Sequence, residues 1–448
     1  HGLFGLFLLL FETGNLILIY RLALKLQADE ETAPSGSAEF RMPPALWSAI
    51  LYALLFVPAY TMMGWFDTMP LFFMLLGLDL LLAKSRWGWP ASAVAIALGF
   101  LVKLTPMLVV PIAIRWLGAR LSWRAARTEW FDRRSPGNLL RPTLYTAIFF
   151  GVVGGLGYWL SSGNLALGFS SFRIQSIRPP WQSVWALIDG YYGYGLVPLD
   201  MRNLVSFETY QWESRIPWTW VTLAFVGLYL WLYTRRYDWA RIRTPIVFNA
   251  VSMIWILLYS KGWSPQFLVW ILAFVVLLNP SMRTILVAVV LSVINSIETY
   301  VYLMMLPDER WIMVAAVLLR TILLILLAVE FVGQIWPGAD RRMSMQRWSA
   351  RLSWATLLIA LFVAVLGAPR VAQAYEARRW QEAGCQPAIA YLQEQVGWPN
   401  ETIASEDLTV WRDLYPWLRE DYDIRVLDTY SAIDEAPESV LARQLDEV

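Results

Sequence analysis

Four ionisable residues lie where apolar segments begin or end, and their types suit the handling of a phosphate group. Asp67 opens one segment in GWFDTMPLFF, Lys103 ends the next in GFLVKLTPM, Lys261 ends another in LLYSKGWSPQ, and Glu298 lies near the end of a later one. Charges beside hydrocarbon are costly, so they mark function more often there than on an ordinary surface. Lys and Arg neutralise phosphate oxygens, and a carboxylate can take a proton from an attacking hydroxyl. The alternative for each residue is an interfacial charge that reaches back to water.

Further charges fall into two kinds. Glu12 and Arg320 lie in the middle of apolar segments, where pairing between helices is the favoured interpretation because buried charges usually pair. Arg173 and Arg178 lie in SFRIQSIRPPW, within a segment rich in Gly, Tyr, Trp and Pro. Because Arg can bind a phosphate through two parallel hydrogen bonds, these two residues are candidates for substrate binding.

The apolar segments that must position these residues predict a polytopic, all-α membrane protein. Twelve segments approach the roughly 20 residues that a bilayer crossing needs. They are 2–24, 45–63, 66–83, 88–103, 105–119, 142–160, 217–234, 244–262, 265–280, 284–304, 311–332 and 352–368.

The loops between these segments predict an orientation. The loops after odd-numbered segments carry 21 Lys and Arg residues, whereas the opposite loops carry 7. Lys and Arg accumulate on the cytoplasmic side, so the pattern predicts that residue 1 and the tail after 368 lie outside. It also places Asp67, Lys103, Arg173 and Lys261 at the outer boundary.

Composition excludes several classes of site. Hydrophobic residues make up 58% of the 448 and charged residues 16%, which is too little charge for a soluble domain of this length. The single Cys385 and single His1 exclude a disulfide framework and argue against a zinc site or a His-based triad. The basic residues form no binding stripe, so no nucleic-acid partner is expected. Most of the 26 Trp are interpreted as anchors at headgroup level, Trp181 among them.

The chain is predicted to have two domains. Residues 1–368 form the transmembrane domain, with one long external loop at 161–216. Residues 369–448 form a small extracytoplasmic α/β domain: a helix over 370–396, then a strand, a helix and a strand over 401–430. Because the sequence begins with His and enters an apolar run at once, we expect native sequence upstream and an incomplete tail.

Three stretches of the sequence resemble integral-membrane glycosyltransferases of the GT-C superfamily, and the nearest branch is the bacterial alpha-mannosyltransferase-like one. The stretch 64–114 carries a Gly-x-x-Asp segment followed by small-residue helices and a Lys-x-x-Pro turn. The stretch 259–278 resembles the family's Ser-Pro-Gln-aromatic helix start, and 171–190 resembles its Arg-x-x-Gln-Ser loop. The resemblance covers roughly residues 2–300 and adds Gln175 and Gln266 to the candidate substrate-binding residues.

The resemblance implies transfer of a hexose, mannose or a related sugar, from a polyprenyl-phosphate donor to a lipid, glycan or protein acceptor. The reaction would take place outside the bacterial cytoplasmic membrane. In this family an acidic residue of the first external loop is the base. That loop is expected upstream of His1, so Asp67 is the only catalytic candidate in this chain. The reaction needs no nucleotide, and the resemblance leaves open whether a divalent cation takes part.

Two other functions remain open. The chain could be a non-catalytic membrane subunit of a larger complex, which would keep the fold and lose the base. It could also be a transporter of lipid-linked sugars, although transporters usually show internal repeats and none is clear here.

Overall fold

The computed structural model describes residues 2–31, 44–61, 66–121, 137–164, 170–195 and 212–396. The chain divides into two compact units. The first comprises residues 1–169, 179–195 and 213–362, and the second comprises 170–178, 196–212 and 363–448. The predicted domain boundary at residue 368 stays a prediction.

The first half of the chain forms six long helices that closely follow the predicted apolar segments. They are α1 Gly2–Glu31, α2 Pro44–Thr61, α3 Thr68–Leu81, α4 Gly88–Val102, α5 Val109–Leu121 and α6 Gly137–Leu160. A 3-10 turn, Thr105–Leu108, leads into α5 with Pro106 in its first positions, where a missing N–H costs nothing.

The second half continues with two short helices and six longer ones. They are α7 Ser170–Ile177, α8 Val184–Asp189, α9 Trp218–Tyr233, α10 Arg243–Tyr259, α11 Leu268–Leu278, α12 Met282–Ser296, α13 Arg310–Ile335 and α14 Ala339–Val396. A 3-10 turn, Pro265–Phe267, precedes α11, and a π-helix, Ile297–Met305, continues α12. Ser281 caps α12 by accepting a hydrogen bond from the Thr284 N–H.

The core of the first unit is built around α10 and α11. Every residue of α11 is buried, and so is most of α10. In contrast, α6, α9 and α14 present large apolar side chains outwards: Phe150, Trp220, Leu223, Leu358 and Phe362 are all more than half exposed. Continuous exposed apolar faces of this kind are unfavourable in water and suit a lipid environment.

The described part of the chain is all-helical and compatible with a multi-pass membrane protein. Five helices are long and apolar enough to cross a membrane: Gly5–Asp29, Leu140–Leu160, Met282–Met305, Arg310–Ile335 and Ala339–Arg378. Seven more apolar helices have only 10–17 residues. Helix length therefore does not support the predicted twelve crossings. The physical reason is that polar turns, such as Ala83-Lys84-Ser85-Arg86 after α3, end these helices early.

The predicted C-terminal α/β domain is likewise unsupported. The helix predicted over 370–396 is confirmed as the last part of α14. The strands and second helix predicted over 401–430 lie outside the described residues. Within the described ranges, the β-structure is a single bridge between Trp181 and Gly262.

Contacts between helix ends in the first unit form two groups. At one, the starts of α3 and α11 meet the end of α4 through Asp67, Trp270 and Lys103. At the other, Arg283 at the start of α12 binds Glu330 near the end of α13. If successive helices run in opposite directions, the ends in each group lie on the same side of the membrane. We therefore keep the sequence-based topology as a hypothesis to be tested by labelling.

We expect cysteine labelling to separate these two groups of helix ends. In a Cys385→Ser background, Asp308→Cys and Glu213→Cys should react with an impermeant maleimide added from outside, because both residues are exposed and belong to the acidic, sparsely basic side. Ser344→Cys and Ser85→Cys, exposed among the Arg-rich turns, should react only after the membrane is opened. The opposite pattern would refute the orientation.

Candidate functional site

An ion pair joins two of the predicted site residues. Lys103 Nζ lies 2.6 Å from Asp67 Oδ1. Asp67 immediately precedes α3, and Lys103 immediately follows α4, so the antiparallel packing of these helices brings the two side chains to one end. The Asp67 side chain is 2% exposed and that of Lys103 is 24% exposed. The pair is thus buried on its acidic side and partly open on its basic side.

Three aromatic rings surround the ammonium group: two at the start of α11 and in the turn before it, and one just before Asp67. Lys103 Nζ lies 4.6 Å from the ring centre of Phe267, 4.7 Å from that of Trp270 and 5.7 Å from that of Phe66. The Phe267 and Trp270 rings are stacked, with centres 5.0 Å apart. Ring faces attract cations most strongly where water is excluded, so they hold Lys103 in place.

The two carboxylate oxygens of Asp67 differ in their hydrogen bonding, because only Oδ1 binds Lys103. Asp67 Oδ2 is buried and has no hydrogen-bond partner among the described residues. The Asp67 backbone is fixed, because Trp270 Nε1 donates a hydrogen bond of 3.1 Å to its carbonyl oxygen. A buried oxygen without a partner is energetically costly, and such groups are a common feature of functional sites. This oxygen is the strongest candidate for proton transfer in the described chain.

Lys261 lies at the other end of the short segment that carries Phe267. Its Nζ lies 5.5 Å from the ring centre of Trp218, at the start of α9. Its carbonyl oxygen accepts hydrogen bonds from Ser183 Oγ at 2.6 Å and Trp181 N at 3.3 Å. The segment 261–267 therefore connects the surroundings of Lys261 with those of Lys103, although the two ammonium groups contact different aromatic residues.

The part of the predicted external loop that precedes α8 is fixed to this segment. Trp181 forms the β-bridge with Gly262, and the Trp263 N–H donates to the Trp181 carbonyl at 3.0 Å. The Trp181 side chain is 7% exposed, so its interpretation as a headgroup anchor is wrong. A Cβ built on Gly262 would lie 2.1 Å from the Trp181 ring. Only glycine permits this approach of ring to backbone.

We expect Gly262→Ala to destabilise the protein by about 1–3 kcal/mol, because the Trp181 ring must shift to admit a methyl group. The measurement is the thermal unfolding midpoint in detergent. Gly227→Ala is the matched control: it lies within α9 with no atom within 4 Å of the added Cβ, so it should not destabilise. Equal midpoints for the two variants would show that the close approach at Gly262 is unimportant.

A second buried ion pair lies beside the same segment. Arg320 of α13 binds Glu298, and it also donates to the Gln182 carbonyl oxygen. The Arg320 guanidinium lies 4.6 Å from the ring centre of Trp263. The predicted pairing of Arg320 between helices is thus confirmed, and it assigns Glu298 a structural role.

The interhelical interpretation of Glu12 is also supported. Glu12 accepts a hydrogen bond of 3.3 Å from Asn15 within α1. It also accepts one from the hydroxyl group of Tyr52 in α2. Asn15 donates as well to the Thr68 carbonyl oxygen at 3.1 Å, which connects α1 to the first turn of α3. Glu12 therefore helps to hold α1 against the helix that carries Asp67.

The other predicted binding residues are not shown in contact with the Asp67–Lys103 pair. Gln266 is half-buried in the 3-10 turn between Lys261 and α11. Gln175 is exposed on α7 in the second unit, and Arg178 is half-buried just after α7. The Arg173 side chain lies outside the described side chains. The structure brings Asp67 and Lys103 together and leaves the common cavity of Asp67, Lys103, Arg173 and Lys261 a prediction.

Sequence reasoning missed the aromatic and amide residues of the site. Phe267 and Trp270 surround Lys103, and Asn295 connects two elements by accepting from Trp263 Nε1 at 3.1 Å and donating to the Pro265 carbonyl at 3.2 Å. The available signal for Trp270 was its position four residues after Gln266, on the first helical turn of an apolar run that contains one other aromatic residue, Phe274.

No group of three or more His, Cys, Asp or Glu side chains suited to a metal ion occurs among the described residues. The acidic residues near the site are instead bound to cations or amides, as Asp67 is to Lys103.

Comparisons with models of protein families, with curated proteins and with solved structures found no match. The candidate function therefore depends on the geometry of the site and on the residue patterns.

Proposed function

We propose that this protein is a membrane glycosyltransferase that moves a hexose from a polyprenyl-phosphate donor to an acceptor hydroxyl on the outer side of the cytoplasmic membrane. The observation that carries the proposal is the Asp67–Lys103 pair, buried at one set of helix ends and packed against the start of α11. It unites the carboxylate and the cation of two motifs within the stretch 64–114, which resembles the GT-C superfamily. The second of the three stretches, 259–278, supplies Phe267, the aromatic residue that covers Lys103.

The cations in this proposal stabilise the leaving phosphate. An ammonium group has three N–H donors, and Lys103 uses one for Asp67. Its side chain is partly exposed, so the remaining donors can serve a phosphate oxygen. Lys261 is held by its backbone at the other end of segment 261–267, where it can serve a second oxygen. Charge stabilisation by fixed cations in a site of low dielectric constant is commonly the largest contribution to catalysis.

The carboxylate activates the acceptor. The acceptor oxygen attacks the anomeric carbon while the bond from that carbon to the phosphate oxygen breaks. The hydroxyl proton passes to Asp67 Oδ2, which in this proposal takes the role that the resemblance gives to an acidic residue upstream of His1. The electron pair of the broken bond leaves with the polyprenyl phosphate. Because Oδ2 is buried, the groups that cover it must move to admit the acceptor. No nucleotide takes part in this step.

The lipid environment fits such a donor. The outward-facing apolar side chains of α6, α9 and α14 can contact acyl and polyprenyl chains. The basic loops orient the Asp67–Lys103 end away from the cytoplasm under the positive-inside rule. Twelve crossings and an extracytoplasmic tail remain part of this proposal.

One observation favours a non-catalytic membrane subunit as a second candidate. Asp67, Asp79, Glu298 and Glu330 are all buried beside at least one Lys or Arg, so each could serve stability alone. This candidate predicts a folded protein, bound to partner subunits, that transfers no sugar.

We expect Lys261→Ala to reduce sugar transfer about 10-fold to 100-fold, since a charge-assisted hydrogen bond contributes about 1.5–3 kcal/mol. Lys261→Arg should retain part of the activity, because the positive charge remains. The measurement is the transfer of labelled sugar from polyprenyl-phosphate sugar in membranes. Lys84→Ala, an exposed lysine at the other set of helix ends, is the matched control and should leave transfer unchanged. Equal activity of the Lys261→Ala and Lys84→Ala variants would remove Lys261 from the site.

A further inference from the structure

A polar cavity lies at the helix ends remote from Asp67. Its volume is about 460 Å³, within the range of small-molecule sites and far above that of one water molecule. It is formed by the start of α10, the end of α11, the start of α12, the end of α13 and the first turns of α14. Its polar lining residues are Arg243, Asn279, Arg283, Glu330, Gln334, Gln346 and Arg347.

The lining has an excess of positive charge. It contains three Arg, and Glu330 is the only acid among the described residues that line it. Glu330 binds Arg283 through both oxygens, at 2.7 and 2.5 Å, and also accepts hydrogen bonds from Asn279 and Ser349. Glu330 thus neutralises Arg283 and is saturated with donors. Three guanidinium groups against this one carboxylate give the lining its excess of positive charge.

Hydrogen bonds position two of the three guanidinium groups at the cavity wall. Arg243 donates to Gln334 Oε1 at 2.9 Å, which fixes its side chain at the cavity wall. Arg283 has five N–H donors, and its contacts with Glu330 and Ser353 use three of them. Arg347 is exposed at the rim. Planar guanidinium groups around one cavity suit the tetrahedral oxygens of a phosphate group.

We propose that this cavity binds the phosphate group of an anionic ligand. The ligand is either a phospholipid headgroup of the adjacent leaflet or a soluble phosphate compound. The neighbouring Trp348 is 60% exposed, as expected for a residue at headgroup level. The site is independent of the proposed transferase activity, since its residues lie at the opposite ends of the helices.

The test measures binding to the purified complete chain in detergent by thermal-shift titration. The probes are short-chain phosphatidylglycerol, short-chain phosphatidylcholine and inorganic phosphate. We expect Arg347→Gln and Arg243→Gln to weaken binding of the anionic probe about 10-fold each, the effect of one charge-assisted contact. Arg351→Gln is the matched control: it is exposed one helical turn further along α14 and does not line the cavity. It should change the affinity less than about twofold.

The outcomes distinguish a phospholipid headgroup from a soluble phosphate compound as the ligand. Binding of phosphatidylglycerol in preference to phosphatidylcholine, with the expected variant pattern, supports a lipid headgroup. Binding of inorganic phosphate with the same pattern supports a soluble ligand. Equal effects of Arg347→Gln and Arg351→Gln, equal binding of the two lipids without inorganic phosphate binding, or no binding at all would overturn the proposal. If Arg243→Gln fails to fold, the exposed Arg347 still decides the result.

Discussion

Replacing Arg320 with Ala is expected to destabilise the protein by about 3–5 kcal/mol, because the substitution leaves a buried carboxylate without its counter-charge. The side chains of Arg320 and Glu298 are 3% and 0% exposed. Arg320 also binds the Gln182 carbonyl and packs on Trp263, so its loss affects α12, α13 and the loop before α8 together. The measurement is the free energy of unfolding in detergent, obtained by denaturant titration or by heating.

Two variants show whether burial is the cause. Arg241→Ala removes a cation from an ion pair with Asp238 whose side chains are 67% and 60% exposed, and it should cost no more than about 1 kcal/mol. The double variant Arg320→Met, Glu298→Leu should recover much of the lost stability, because neither charge is then buried alone. If Arg320→Ala costs no more than Arg241→Ala, the buried pair does not hold these helices together.

Replacing Asp67 with Asn is expected to lower sugar transfer about 100-fold to 10,000-fold, the usual contribution of a positioned proton acceptor. The amide is nearly isosteric with the carboxylate but cannot accept the acceptor proton. Lys103 keeps its contacts with Phe267 and Trp270, and its side chain is partly exposed, so the fold should tolerate the change.

Asp79→Asn is the control for this experiment. Asp79 is also 2% exposed and binds Lys25 and Arg21, each at 2.8 Å, but it lies at the far end of α3. Both substitutions remove a buried carboxylate from an ion pair on the same helix, so their effects on stability should be similar. Only Asp67→Asn should lower transfer by this amount. Equal activities would assign Asp67 a purely structural role.

The helices were predictable because their ends carry strong local signals. Segments 88–103 and 265–280 were predicted close to the observed Gly88–Val102 and Pro265–Leu278, since glycine, proline and charged residues bound uninterrupted apolar runs. The number of membrane crossings was less predictable. Hydropathy extends a segment into flanking residues such as Phe66, whereas the helix itself begins after Asp67.

The partners within the site were only partly predictable. The sequence identifies Asp67 and Lys103 as unusual, because charges rarely occur beside long apolar runs. It does not show that they bind each other across 36 residues, since this depends on how α3 packs against α4. The positions of Phe267, Trp270 and Trp181 depend on tertiary contacts as well, and the abundance of Trp in this chain made headgroup anchoring the simpler interpretation.

The most direct test of the proposed activity is transfer from a polyprenyl-phosphate sugar carrying a labelled hexose, measured in membranes that contain the protein. We expect the wild type to release polyprenyl phosphate and to place the label on an acceptor in those membranes, and the Asp67→Asn variant to do both at least about 100-fold more slowly. A folded wild-type protein that transfers no label from any polyprenyl-phosphate hexose, and that co-purifies with other membrane subunits, would contradict the proposal and favour a non-catalytic subunit.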